Sequence, residues 1–379
     1  MMARLEEICA INTGQSPDSS TYNEDGNGLP FFQGNADFGE IYPAVRMWCS
    51  EPTKIAREKD ILISVRAPIG ALNIANCECC IGRGLAALTV NEDICAQEYL
   101  WHALSGKVDE LNSKGTGSTF KAINKKTLSE TEIPLPPIDE QRKIAAILDK
   151  VSDLIAKRQQ QLDKLDEMIK ARFMEIFGDS ETNTKNWRVL PMSKICSVGS
   201  SKRIYQSEQS SSGVPFWRIS DLTSLITTGT VTPELYIPEE RYKELKTQGQ
   251  VPAPGDILIT SRGTLGQCYI VKVNDRFYFQ DGMISWLSGY MDGVTPLYIS
   301  YLFTMPGFRK QIDSMQAGST VAYLSITMIK KLKVMLPDIE SQQQFASFVS
   351  KTEKTKTTIS RSLEKLETLK KALMQEYFG

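Results

Sequence analysis

Histidine is nearly absent from this chain: among 379 residues only His102 carries an imidazole. That excludes a serine or cysteine triad anywhere but around one residue, and any metal centre that needs several histidines. No glycine-rich cofactor loop follows a strand and no P-loop occurs, so no catalytic constellation stands out. Apolar runs are short, none approaching the ~20 residues needed to cross a bilayer. The opening Met1-Met-Ala-Arg-Leu-Glu-Glu7 is acidic where a secretory leader needs an apolar core, so the expected location is the cytoplasm. Cysteines are present, as Cys9, Cys49, Cys77, Cys79, Cys80, Cys95, Cys196 and Cys268, but they are scattered through apolar stretches. A disulfide framework belongs to small secreted domains. Cys77-Glu-Cys79-Cys80 is the one cluster, and without a second cluster at zinc-ligand spacing it predicts a strand or turn with reduced thiols and no metal.

What the chain does have is repetition. Leu135-Pro-Pro-Ile-Asp-Glu-Gln141 opens a long helical pattern ending at Phe177-Gly178, and Leu336-Pro-Asp-Ile-Glu-Ser-Gln342 opens another ending at Phe378-Gly379, each 201 positions on. Gly117-Ser-Thr119 recurs at the same offset as Gly318-Ser-Thr320. Asp60-Ile-Leu-Ile-Ser-Val-Arg66 recurs 196 positions on as Asp256-Ile-Leu-Ile-Thr-Ser-Arg262, and Pro30-Phe-Phe32 as Pro215-Phe-Trp217. Self-similarity on this scale means two copies of one structural unit. The boundaries read as a globular domain over 1–138, a helix over 139–178, a polar linker over 179–186, a second domain over 187–337 and a second helix over 338–379.

Both globular segments are mixed and strand-rich. Strands are predicted over 60–65, 70–74 and 85–90, short helices near 97–104 and 125–130, and an exposed loop over 12–28. Asp60 and Asp256 each precede an apolar strand, where turn chemistry is the expected role. Gly82-Arg-Gly84 is too short to carry meaning by itself. The net charge of −1 hides an asymmetry: residues 1–138 hold 12 basic against 18 acidic side chains, and residues 187–337 hold 16 against 11. The acidity of the first domain weighs against DNA binding by that domain alone.

The long segments carry heptad seams. Ile144, Leu148, Val151, Ile155, Leu162, Leu165, Ile169 and Ile176 fall at alternating four- and three-residue steps, interrupted by Arg158 and with Phe173 one position out of step. The second seam runs through Phe345, Val349, Thr352, Ile359, Leu363, Leu366, Leu373 and Tyr377 past a polar middle at 351–358. Each rod, about 60 Å long, must bury its seam against a partner, and the other rod is the nearest. The expected fold is α+β: two tandem mixed α/β domains separated by two long helices packed as an antiparallel coiled coil, with pseudo-two-fold symmetry. Duplex DNA has matching symmetry, so readers with a common framework and unlike loops point to a split, asymmetric site. The alternative is a duplicated protein- or peptide-binding scaffold with no nucleic-acid role.

Gly117-Ser-Thr-Phe120 and Ile133-Pro-Leu-Pro-Pro-Ile-Asp-Glu-Gln-Arg-Lys-Ile144 resemble the specificity subunits of type I DNA restriction–modification systems. So do Gly318-Ser-Thr-Val321 with Val334-Met-Leu-Pro-Asp-Ile-Glu-Ser-Gln342, as well as Pro30-Phe-Phe-Gln-Gly-Asn-Ala-Asp-Phe38 and Gly255-Asp-Ile-Leu-Ile259. The likeness covers essentially the whole chain in the family's order of target-recognition domain and conserved helix, twice. The second copy departs at Asp338 and Ser341, around the helix start. The resemblance implies a non-catalytic, DNA-binding subunit. Two modification subunits would dock on it, carrying S-adenosylmethionine and methylating adenine. Motor-nuclease subunits that use ATP and Mg are an optional addition. The two helices would act as spacer and docking surface, with no membrane involved.

Major-groove reading favours Arg, Lys, Asn and Gln. The candidates are Gln33, Asn35 and Arg66 in the first domain and Arg218, Ser220 and Arg262 as their approximate counterparts. For Arg66 and Arg262 the competing role is a salt bridge on a turn. Ser118, Thr119 and Lys121, with Ser319 and Thr320, are candidates for phosphate contacts, a capping turn being the alternative. Lys202, Arg203, Arg241 and Lys243 form a basic group in the second domain, for which ordinary solvated surface is the alternative.

Overall fold

The computed structural model describes residues 1–117, 121–316 and 322–379. It divides into two compact units, one made of Met1–Gln160 with Ile359–Gly379, the other of Gln161–Thr358. Among the described residues no helix is long and apolar enough to cross a membrane.

The first unit is built on a four-stranded antiparallel sheet in the order Cys9–Thr13, Leu85–Val90, Ile61–Ser64, Leu72–Ile74. Ile61, Leu62 and Ile63 are all fully buried, so both faces of that strand are covered. A second sheet of five short strands contains one parallel pair, in which Phe31 and Phe32 of Leu29–Phe32 face Cys80 and Ile81 of Cys79–Ile81. Of the cysteine cluster, Cys79 and Cys80 lie in this buried strand and Cys77 is half-buried in the bend before it; all eight cysteines are free. The stretch 12–28, expected as an exposed loop, holds the end of Cys9–Thr13, a 3-10 turn over Ser19–Thr21 and the short strand Tyr22–Asn23. Tyr22 explains the difference: its ring packs on Phe31 at 4.7 Å, an apolar contact strong enough to fix a polar segment.

The second unit repeats this plan. Its four-stranded sheet runs Ser197–Gly199, Ile284–Ser288, Ile257–Thr260, Cys268–Ile270, and a parallel pair again joins the Phe-Trp strand, Val214–Trp217, to Tyr278–Phe279. The copies diverge after that strand. The first continues into a tight turn at Asn35–Asp37, the second into the helices Ile219–Thr228 and Glu239–Thr247.

The long helices span Ile138–Phe177 and Ile339–Phe378. Gly178, at φ 77°, ends the first in a left-handed conformation that glycine adopts without strain. In the first unit, Ile144, Ala145 and Leu148 from the start of the first helix share a core with Phe378 from the end of the second. In the second unit, Ile169, Phe173 and Phe177 from the end of the first helix share a core with Phe345 and Val349 from the start of the second. The helices are thus antiparallel. Of the seam residues, Ile144, Leu148, Val151, Ile169, Phe345, Val349 and Thr352 are buried, while Ile155, Leu162, Leu165, Ile359, Leu363, Leu366 and Leu373 are half-buried. The last turns differ from the heptad pattern. Phe173 and Phe177 are fully buried where Ile176 is only half-buried, and Phe378 is deeper than Tyr377. The phenylalanines are drawn inward because the domains offer aromatic partners: Tyr298 lies 5.6 Å from Phe173 and 4.9 Å from Phe177, and Tyr99 lies 5.2 Å from Phe378.

Candidate nucleic-acid interface

In the first unit the backbone brings three candidates together. The strand Leu29–Phe32 delivers Gln33 and Asn35, and the strand Ile61–Ser64 delivers Arg66 two residues past its end. Gly84 joins them. Its N–H donates to the Gln33 carbonyl at 3.1 Å, and its own carbonyl accepts from the Val65 N–H at 2.9 Å. Only glycine fits this approach, since a Cβ at position 84 would lie 2.4 Å from the Gln33 oxygen. Gly82-Arg-Gly84, which means nothing as a motif, is the hinge of the site. The Asp37 carboxylate accepts from the Gln33 N–H at 2.8 Å and fixes the following turn.

The result is a cleft of about 340 Å³ lined by Gln33, Asn35, Arg46, Arg66 and Gly84, among others. Arg66 is exposed and pairs with no carboxylate among the described residues. Arg46 was not singled out from the sequence, where it is a lone arginine in an apolar loop. It lines the cleft and donates one guanidinium N–H to the Ala36 carbonyl at 2.7 Å, out of the five such groups an arginine carries. Lys121 is exposed beside this group, and its carbonyl accepts from the Ala67 N–H at 3.1 Å. Ser118, Thr119, Ser319 and Thr320 lie outside the described residues.

The matched positions of the second unit look different. Arg218 is held by Asp221 at 3.4 Å and Glu234 at 2.8 Å, so its charge is internally compensated; Glu234 above all pushes its pKa further up. Ser220 is exposed in the first turn of Ile219–Thr228. Arg262 is exposed, with its guanidinium 5.2 Å from the centre of the Tyr323 ring. Arg241 lies between Glu208 at 3.1 Å and Glu244 at 2.5 Å, and Arg203 pairs with Asp281 at 2.9 Å. Lys202 and Lys243 are exposed. The basic group named from sequence is thus partly an internal ion-pair set. Glu244 is a helical neighbour of Arg241, but Glu208 and Asp281 come from distant parts of the chain and cannot be matched to their arginines by inspection of it.

The remaining reactive groups are structural. His102 is buried, its Nε2 lying 2.7 Å from the Asp149 carboxylate of the first long helix. Asp60 accepts from the Arg57 N–H and Asp256 from the Ala253 N–H, both at 2.8 Å, which is turn chemistry. Burial pushes the thiols of Cys9, Cys79, Cys95 and Cys196 up to about 12, so they stay protonated. No group of three or more His, Cys, Asp or Glu side chains among the described residues could hold a metal.

A tandem pair of mixed α/β domains, with unlike surfaces on a common framework and a long helix after each, is the architecture of a duplicated recognition protein. The chain belongs to the type I restriction modification DNA specificity domain family, which matches residues 1–167 and again 184–368. The type I restriction enzyme MjaX specificity subunit of Methanocaldococcus jannaschii is 42% identical over 180 residues, 48% of this chain and 42% of that protein. The S.HindORF215P specificity subunit of Haemophilus influenzae is 27% identical over 252 residues, 65% of this chain and 62% of that protein. The chain thus covers less than two thirds of either relative. The type I restriction-modification S subunit from M. genitalium shares the fold, with a TM-score of 0.60 at 14% identity, over 100% of this chain and 96% of that one.

Proposed function

We propose that this chain is the non-catalytic specificity subunit of a type I restriction–modification complex, reading a bipartite, asymmetric DNA site with one domain per half-site. The modification subunits that dock on it supply S-adenosylmethionine and the methyl transfer. Any motor-nuclease partner supplies the ATP- and Mg-dependent steps. One observation carries the reading. At matched positions on a repeated framework, one domain offers an open cleft with Gln33, Asn35, Arg46 and Arg66, and the other offers Arg218, Ser220 and Arg262 beside an added helix. A scaffold for two copies of one ligand would keep those surfaces alike; two readers of different sequences must not.

Guanidinium and amide side chains such as those of Arg66, Arg262 and Asn35 suit bidentate contacts to base edges, each worth about 1–3 kcal/mol of discrimination, whereas Arg218 would first have to give up its carboxylate partners. The first domain is net acidic, so its affinity rests on this local cluster together with the rest of the complex. The test is binding of the chain, reconstituted with modification subunits, to site-bearing duplex over a range of salt. Affinity should fall steeply as salt rises, through counterion release. Arg66→Ala should weaken discrimination in the first half-site only. Salt-independent binding, or equal loss at both half-sites, would contradict the proposal.

A further inference from the structure

Each long helix is clamped to its own domain by a buried glutamine, at matched positions 141 and 342. Gln141 is 0% exposed and Gln342 is 1% exposed. The Gln141 side-chain oxygen accepts from the Ala96 N–H at 2.9 Å, and its nitrogen donates to the carbonyls of Ile94 at 3.1 Å and Pro136 at 2.8 Å. The Gln342 oxygen accepts from the Thr295 N–H at 2.9 Å and hydroxyl at 3.0 Å, and its nitrogen donates to Gly293 at 2.8 Å and Pro337 at 3.0 Å. Both amide protons of each side chain are used. One amide therefore ties three things: the helix, the residues that lead into it, and the loop before the domain's own helix, Gln97–Gly106 or Pro296–Leu302.

The pattern persists where its surroundings have diverged. Pro137 and Glu140 of the first copy are Asp338 and Ser341 in the second, where the Asp338 carboxylate instead caps the Ser341 N–H at 2.7 Å. A second tether is shared as well. The hydroxyl of Tyr99 donates to Pro134 at 2.8 Å, and that of Tyr298 to Met335 at 2.9 Å, just before each helix. Apolar packing is not directional; a fully satisfied buried amide is, because any tilt leaves a donor or acceptor stranded.

We infer that Gln141 and Gln342 are positioning residues that fix the angle at which each helix leaves its recognition domain, and thereby the length of unread DNA the complex accepts. The inference rests on the bipartite reading above. A lever argument gives the scale: a tilt of about 5° moves the far end of a rod of about 60 Å by about 5 Å, more than the rise of one base pair.

The experiment measures methylation by the full complex on duplexes whose two half-sites are separated by the preferred gap or by one or two base pairs more or fewer. Gln141→Met and Gln342→Met, tested separately, keep side-chain length and remove the bonds. Each should lower the rate at the preferred gap on the order of tenfold relative to its neighbours, flattening the profile while half-site base preferences stay unchanged. Leu88→Ala, a buried change in the central strand Leu85–Val90, should lower the melting temperature and leave the gap profile sharp. Methionine variants with the wild-type profile, or a Leu88→Ala variant that flattens it equally, would overturn the inference. A wild-type complex with no preferred gap would instead overturn the bipartite reading.

Discussion

Gly84 shows how much of the site rests on a single backbone contact. Gly84→Ala places a methyl carbon 2.4 Å from the Gln33 carbonyl oxygen, backbone against backbone, so the chain must move. Overpacking of this kind costs about 1–3 kcal/mol. Here the displacement falls on Gln33 and Asn35, so methylation assays should show weakened reading of the first half-site and an unaltered second. Asp256 makes a different test. Burial raises its carboxyl pKa, while the Ala253 N–H and the Trp286 indole N–H, at 2.9 Å, pull it down. Because the folded value lies above the unfolded one, the folded chain holds its proton more tightly. Stability therefore declines as pH rises from the ordinary aspartate range near 4 through the raised value. Asp256→Asn keeps an oxygen for both donors and cannot ionise. Urea unfolding should show the variant gaining on wild type as pH rises through that window, then holding its advantage; a variant that loses ground with rising pH would contradict this. At this scale the chain was only partly legible. Gln33, Asn35 and Arg66, singled out as candidates by residue type, do line one cleft, but Arg46 and the pairing of Arg218 with Glu234 were not legible, because each depends on loops whose path no local pattern fixes.

The helices were the most legible elements, because a heptad seam and a bounded start are local signals. The seam pattern missed only the last turns, where Tyr99 and Tyr298 select Phe378 and Phe177 from across the fold. The strand Ile61–Ser64 and its neighbours were visible as apolar runs; Cys79–Ile81 was legible only as a strand or a turn, because a three-residue strand exists only through its long-range partner Leu29–Phe32. The polar middle of the second helix, unpromising as a seam, is held in the second unit by side chains that bond back along the helix. Thr352 donates to Phe348 at 3.0 Å, and Lys356 reaches Asp166 on the first helix at 2.7 Å. If the helices measure the gap, inserting one heptad into each, near residues 156–162 and 351–357, should lengthen the unread stretch by about three base pairs, from about 1.5 Å per residue against 3.4 Å per base pair. Methylome sequencing reads the gap directly; an unchanged gap would show that the helices are not the ruler.

For the whole molecule, duplication was the strongest signal in the sequence: it pointed to two copies of one unit and to antiparallel packing as the way for the two helices to cover their seams, while the family resemblance came from the motifs at 117–120 and 133–144 and their counterparts in the second half. Unlike loops on the repeated framework were also visible in the sequence; the inserted helices Ile219–Thr228 and Glu239–Thr247, which make the two surfaces so different, were not. That difference on a common framework is the central claim. The most direct test replaces residues 1–138 with the corresponding domain of another specificity subunit and maps methylated sites in cells that express the complex. The account predicts one half-site exchanged, the other retained and the gap preserved. Both halves changing together, or neither, would contradict it.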